Sequence, residues 1–159
     1  MAYPDGFTYV SGPYELRRFN ILSTATFKAR NPVMLGGART VIEASVATSP
    51  GIIGIAQNDA ANSVYGGEIL VLVPNEQTVF ATKVQTGVAA SALSIGAAYN
   101  LEKAGDFFRV DTDSQASAKA VLVPRGDGVT TINSADSSVF VQFLKDWIYP
   151  FGSNASQTL

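Results

Sequence analysis

The sequence predicts an all-β protein: a compact, mainly antiparallel β-barrel or sandwich with an extended N-terminal arm. Three observations lead there. Short runs of β-branched, aromatic and aliphatic residues recur at regular spacing, as in sandwiches and barrels rather than in βαβ units. Glycine, proline, asparagine and aspartate punctuate those runs. The block from Gly51 to Pro74 then shows the pattern in full, with an apolar strand at Ile52–Ala56, a polar break at Gln57–Asp59 and a small-residue connection ending at Gly66-Gly67. A second apolar strand follows at Ile69–Val73. The organisation expected is an arm over residues 1–18, a β-barrel domain over 19–149 and a tail over 150–159.

Each element has its own signal. Residues Met1 to Pro13 carry Pro4, Gly6, Gly12 and Pro13, which break regular structure, and Tyr3, Phe7, Tyr9 and Tyr14 make the segment too aromatic for an ordinary disordered tail. Such an arm either packs on its own domain or docks on a neighbouring subunit. Phe19–Phe27 is rich in β-branched and aromatic residues and reads as a strand. Val33-Met34-Leu35, Gly36-Gly37 and Thr40-Val41-Ile42 read as strand, turn, strand. Ile69–Val73 and Thr78–Val84 flank Pro74-Asn75-Glu76-Gln77 as a hairpin, and Tyr99–Leu101 and Phe107–Val110 flank Lys103–Asp106 in the same way. Ala120–Val123 and Val139–Leu144 complete the series, while Val88–Leu93 and Ala116–Ala118 suit short helical turns or loops. Leu70–Pro74 and Ala120–Pro124 echo one another, as a duplicated hairpin or a chance match of common β residues would.

Composition closes many chemistries. The 159 residues suffice for one domain with its own core. Cysteine and histidine are both absent, which removes disulfides, thiolate catalysis, cysteine zinc sites, the usual general base and the commonest metal ligand. Net charge is −2 without a basic cluster beyond Arg17-Arg18 and the Lys28/Arg30 pair, so nucleic acid is not an expected partner. No apolar stretch approaches membrane-spanning length, so no membrane partner is expected. Met1–Gly6 lacks the basic and apolar segments of a signal peptide. Charged residues make up only 15% of the chain, a surface that suits partial cover by a partner.

Few residues suggest a site. Asp106, Asp111 and Asp113 are close enough in sequence to consider a calcium loop, but no glycine-turned loop with a closing glutamate follows. Asp106 and Asp111 as a glycosidase pair rest only on two loop carboxylates. Arg125-Gly126-Asp127 spells an adhesion tripeptide and equally an ordinary turn, and Asn154-Ala155-Ser156 is a glycosylation acceptor only on a secretory route. Trp147, Tyr149 and Phe151 form an aromatic cluster that either packs the last strand or anchors an interface. No metal or cofactor is expected.

Asn31–Gly37, Gly51–Ala61, Gly66–Val73 and Ile95–Leu101, taken in order, resemble the decoration (cement) proteins of tailed-bacteriophage capsids, of the compact β-tulip type. In that family a "G-V-A" strand precedes a small-residue turn, a Gly-Glu pair starts the next strand, and an "I-G-x-x-Y-x-L" strand comes later. The matching region runs from about Asn31 to Pro124 and leaves out Met1–Tyr14 and Phe151–Leu159. The resemblance implies no enzyme activity. It implies a virion protein, made in the host cytoplasm, that sits as a homotrimer on the capsid exterior, binds the major capsid protein and reinforces contacts between capsomers. The contact residues expected are Tyr3, Pro4, Phe7, Tyr9, Tyr14, Arg17, Arg18, Trp147, Tyr149 and Phe151. The alternatives are a head-fibre or tail-associated β module binding host glycans, an aspartate-based hydrolase, and a cellular β-sandwich adaptor.

Overall fold

The computed structural model describes residues 4–21, 25–37, 40–44, 52–60, 67–84, 93–111, 120–123 and 138–144. Among these residues every regular element is a strand: β1 (Thr8–Ser11), β2 (Tyr14–Ile21), β3 (Pro32–Gly37), β4 (Thr40–Glu43), β5 (Ile52–Ala56), β6 (Glu68–Pro74), β7 (Val79–Lys83), β8 (Ala98–Ala104), β9 (Phe107–Asp111), β10 (Ala120–Val123) and β11 (Ser138–Phe143). The fold is all-β, as the composition and turn spacing predict. Five strands close into a barrel in the order β2-β4-β3-β5-β6, and six form a sheet in the order β1-β7-β11-β10-β8-β9. Among the named strands pairing is antiparallel except between β2 and β4, which run parallel through Asn20↔Thr40 and Ile21↔Val41, and an isolated parallel bridge joins Val84 to Val110. Closure removes edges that would otherwise template aggregation.

Two cores result. Phe19, Phe27, Val33, Val41, Ile53 and Val71 are among the side chains filling the barrel. Phe7, Phe80, Leu101, Val110, Leu122 and Phe143 join Ile52, Ile55 and Leu72 in a second cluster, where the six-stranded sheet packs on β5 and β6. β5 therefore has to serve both cores. A register shift on its partner, where Val33 faces Gly54 and Met34 faces Ile52, leaves Ile53 as an extra residue. That bulge moves the alternation by one position, so Ile53 and Ala56 enter the barrel while Ile52 and Ile55 enter the second core. Gly54 permits a close approach there: a Cβ would overlap the Leu72 carbonyl oxygen and lie 2.6 Å from Val71 Cγ1.

The hairpins predicted around Gly36-Gly37 and Lys103–Asp106 are present as β3–β4 and β8–β9, but Gly36-Gly37 belongs to β3 and Lys103-Ala104 to β8, so the strands run further than the turn signals predict. The hairpin predicted across Pro74–Gln77 is not. β6 belongs to the barrel and pairs with β2 from Tyr14↔Pro74 to Asn20↔Glu68, whereas β7 belongs to the sheet and pairs with β1. Pro74–Gln77 is thus a corner between sheets, and Gly12-Pro13 is the matching corner on the neighbouring strand. Gly12 has φ +96°, and a Cβ there would lie 2.5 Å from the Gln77 carbonyl oxygen. Thr78 is fully buried between the two corners. Its hydroxyl donates to the Pro13 carbonyl and accepts from the Asn75 N–H at 3.0 Å. The Asn75 side chain accepts from the Gln77 N–H at 2.8 Å, an Asx-turn geometry.

Where residues 1–18 are described they hold β1, a strand of the six-stranded sheet, and the first part of β2, a strand of the barrel. The Leu70–Pro74 and Ala120–Pro124 echo joins strands with unrelated neighbours: β6 lies between β5 and β2, and β10 between β8 and β11. Local composition made them alike, and pairing made them different.

Two substitutions test this frame by thermal or denaturant unfolding. Gly54→Ala puts a methyl group against backbone that cannot yield and is expected to destabilise by about 1–3 kcal/mol. Thr78→Val keeps the shape but strands the Pro13 carbonyl and the Asn75 N–H, with an expected loss of about 1–3 kcal/mol. At this chain length each kcal/mol lowers Tm by roughly 2–4 °C.

Candidate partner-binding surface

The corner turns some predicted contact residues inward and others outward. Phe7, expected as an anchor on a partner, is only 1% exposed. Its ring packs 6.3 Å from Phe80 and 5.3 Å from Phe143, so it holds the segment to its own domain. The reason is positional: Phe7 precedes β1 and reaches the core between sheet and barrel. Tyr9 and Tyr14 behave otherwise. They are 37% and 50% exposed, their rings meet edge-to-face at 4.7 Å, and the Tyr9 hydroxyl donates to the Gly12 carbonyl at 2.8 Å. The pair flanks the corner and is held in place by it.

Leu16, 48% exposed, continues this surface and was absent from the sequence expectation. Its signal was available. In β2 the side chains of Phe19 and Ile21 are buried, so period-2 alternation places Tyr14, Leu16 and Arg18 on the opposite, open face. Arg17 lies on the other face and pairs with Glu15 at 3.0 Å. Arg18 and Pro4 are exposed. Tyr3, Trp147, Tyr149 and Phe151 lie outside the described residues.

A second cluster joins the start of the chain to the barrel and to the β8–β9 hairpin. Arg30 adopts φ +71°, uncommon for a residue with a Cβ. Its N–H donates to the Ala56 carbonyl at 2.7 Å, its carbonyl accepts from the Phe7 N–H at 2.8 Å, and its Nε donates to the Asp5 carbonyl at 2.8 Å. The guanidinium lies 5.4 Å from the Phe107 ring centre. Asn31, fully buried, donates to the Asp106 carbonyl at 2.6 Å and accepts from the Phe108 N–H at 3.1 Å. A crevice of about 250 Å³ beside this cluster is lined by residues including Asp5, Lys83, Phe107 and Arg109.

That crevice has the look of a small-molecule site, but its charges are already matched. Lys83 pairs with Asp5 at 3.6 Å, Arg109 with Glu102 at 2.9 Å, and nearby Lys103 with Glu43 at 2.6 Å. Lys28 pairs with Asp59 at 3.9 Å. The cluster acts as a clamp: strain at Arg30 is tolerated because its neighbours over-determine it. Asp106 sits in the exposed β8–β9 turn and Asp111 ends β9 opposite Asn100. Among the described residues no group of three His, Cys, Asp or Glu side chains is placed to hold a metal. Asp113, Arg125–Asp127 and Asn154–Ser156 lie outside them. No family model matches the chain, and no curated protein matches it.

The inward and outward aromatics separate in a stability measurement. Phe7→Ala is expected to cost about 3–5 kcal/mol, as for a buried phenylalanine. Tyr14→Ala is expected to stay within about 0.5 kcal/mol, as for an exposed position outside the core. Chemical denaturation of the two variants checks both.

Proposed function

We propose that this chain is a structural virion protein that binds the outside of a phage capsid as an oligomer and stabilises contacts between capsomers. The observation that supports it best is the open Tyr9–Tyr14–Leu16 surface mounted on a hydrogen-bonded corner. Aromatic residues held rigid lose little entropy on docking and dominate interface energetics. The resemblance of Asn31–Pro124 to capsid decoration proteins supplies the class of partner, the major capsid protein, and the threefold assembly.

The mechanism in this reading is mechanical. Outward pressure from packaged DNA strains the joints between capsomers, and a protein bridging a joint adds buried area that opposes its opening. A standard interface buries about 1,600 Å² in total. Copies repeated by the symmetry of the shell, each engaging several subunits, raise avidity without stronger single contacts. The closed barrel suits such a load because its strands are tied laterally by backbone hydrogen bonds. The glycan-binding alternative calls for an exposed aromatic stacking surface; Tyr9 and Tyr14 meet at 63° and do not form one flat platform together, and Trp147, Tyr149 and Phe151 lie outside the described residues.

Capsids of the parent phage assembled without this protein provide the test. Added protein is expected to co-sediment with them and to raise the temperature at which the shells come apart. The Tyr9→Ala/Tyr14→Ala double variant is expected to bind about 30-fold or more weakly, as for loss of a hot spot of about 2 kcal/mol. Failure of the unaltered protein to bind, or binding that leaves shell disassembly unchanged, refutes the reading.

A further inference from the structure

β2 presents three side chains in a row on its exposed face. Tyr14 and Leu16 are half exposed and Arg18 is exposed, while Phe19 and Ile21 occupy the opposite face inside the barrel. Residues two apart on a strand stand about 6–7 Å from one another. Pairing with β6 from Tyr14 to Asn20 holds the row at that spacing.

Arg18 differs from the other cations of the chain. The ion pairs and the Arg30 clamp engage every other lysine and arginine among the described residues. The Arg18 side chain has no hydrogen-bond or ion-pair partner among them. Arg17, its neighbour in sequence, lies on the other face and pairs with Glu15 at 3.0 Å. Glu68 shares the exposed face, opposite Asn20 on β6, and makes no ion pair with Arg18.

This row discriminates between partners. A surface that covers Tyr14 and Leu16 with apolar atoms also covers the guanidinium standing about 6–7 Å further on. Taking a charge out of water without a counter-charge is costly. A wholly apolar partner incurs that cost, and a basic one adds repulsion. A carboxylate at the matching position offsets it, because a planar guanidinium and a carboxylate form a charge-assisted, bidentate pair. Along an extended segment, side chains two residues apart share a face at the same spacing as the row on β2.

We propose that this face docks a protein segment whose apolar side chain seats on Tyr14 and Leu16 and whose carboxylate, two residues along, pairs with Arg18. The identity of the partner rests on the capsid reading, in which the segment belongs to the major capsid protein. The carboxylate adds selectivity to an apolar contact that would otherwise accept many surfaces.

Two arms test this. In the first, capsids of the parent phage assembled without this protein are mixed with variants of it. Arg18→Glu is expected to bind about tenfold or more weakly than the unaltered protein. Glu68→Gln is expected to bind at least as tightly, because it removes a charge that competes for Arg18. Both positions are exposed, so both variants are expected to keep the unaltered Tm. The second arm needs no capsid. The isolated, isotope-labelled protein is titrated with a blocked pentapeptide of aspartate, threonine, leucine, threonine and phenylalanine, whose alternate side chains match Arg18, Leu16 and Tyr14. The amide resonances of Tyr14–Arg18 are expected to shift, and to stay in place with the counterpart carrying lysine for aspartate.

The proposal is overturned if Arg18→Glu binds capsids as the unaltered protein does, or if the acidic peptide shifts those resonances no more than the basic one. It is also overturned if Glu68→Gln weakens binding as Arg18→Glu does, since the counter-charge then comes from this chain. An Arg18-dependent dimer in sedimentation equilibrium assigns the face to a second copy and overturns it as well. Absence of capsid binding together with selective shifts from the acidic peptide removes the capsid reading and leaves this docking face standing. Capsid binding that ignores Arg18 does the reverse.

Discussion

A buried threonine hydroxyl holds the corner at which two antiparallel strands leave the barrel and enter the six-stranded sheet. Thr78 bonds the Pro13 carbonyl on one strand and the Asn75 N–H on the other, so both strands turn together and keep their register. Gly12 makes room for this by adopting φ +96° against the Gln77 carbonyl. Two consequences follow from the same bend. β1 and the preceding Phe7 are directed over the second core, where Phe7 meets Phe80 and Phe143. Tyr9 and Tyr14 are left on the outside, stacked edge-to-face beside the corner. The core and the exposed surface are therefore set by one local geometry.

The opposite junction is held by polar contacts rather than by aromatic packing. Asn31 ties the barrel to the β8–β9 hairpin through the Asp106 carbonyl and the Phe108 N–H, and Arg30 ties it to the start of the chain. A buried amide satisfied on both its donor and acceptor sides rigidifies a junction that apolar contacts alone would allow to slide. The ion pairs around it engage Lys83, Lys103 and Arg109. A crevice whose cations are matched in this way offers little driving force for an anionic ligand. In the proposed reading, docking therefore falls to the exposed strand face that carries Tyr14 and Leu16 rather than to the crevice.

That face is carried by a paired strand. β2 is paired along its length with β6, so its exposed residues project at fixed spacing from a sheet rather than from a loop. A surface of that kind loses little conformational freedom on association. It suits a protein whose proposed work is to be added in many copies to a symmetric shell.

The sequence by itself determined most of the strands from β3 onward, the pairing of β3 with β4 and of β8 with β9 as hairpins, and which chemistries are missing; β1 and the Tyr14–Arg18 part of β2 it read as an arm. Those properties are local: a β-branched run favours a pleated strand, Gly105 at φ +61° favours a turn, and a chain without histidine or cysteine cannot use either. Only the tertiary structure decided which sheet each strand joins. Pro74–Gln77 carries the same turn residues whether it closes a hairpin or rounds a corner, and the choice was made by distant partners, β2 for one strand and β1 for the next. The same holds for the aromatic segment near the N-terminus. Alternation groups Tyr14, Leu16 and Arg18 on one face of β2 but does not say which face meets water; closure of the barrel decided that Phe19 and Ile21 are core and that Tyr14 and Leu16 are surface.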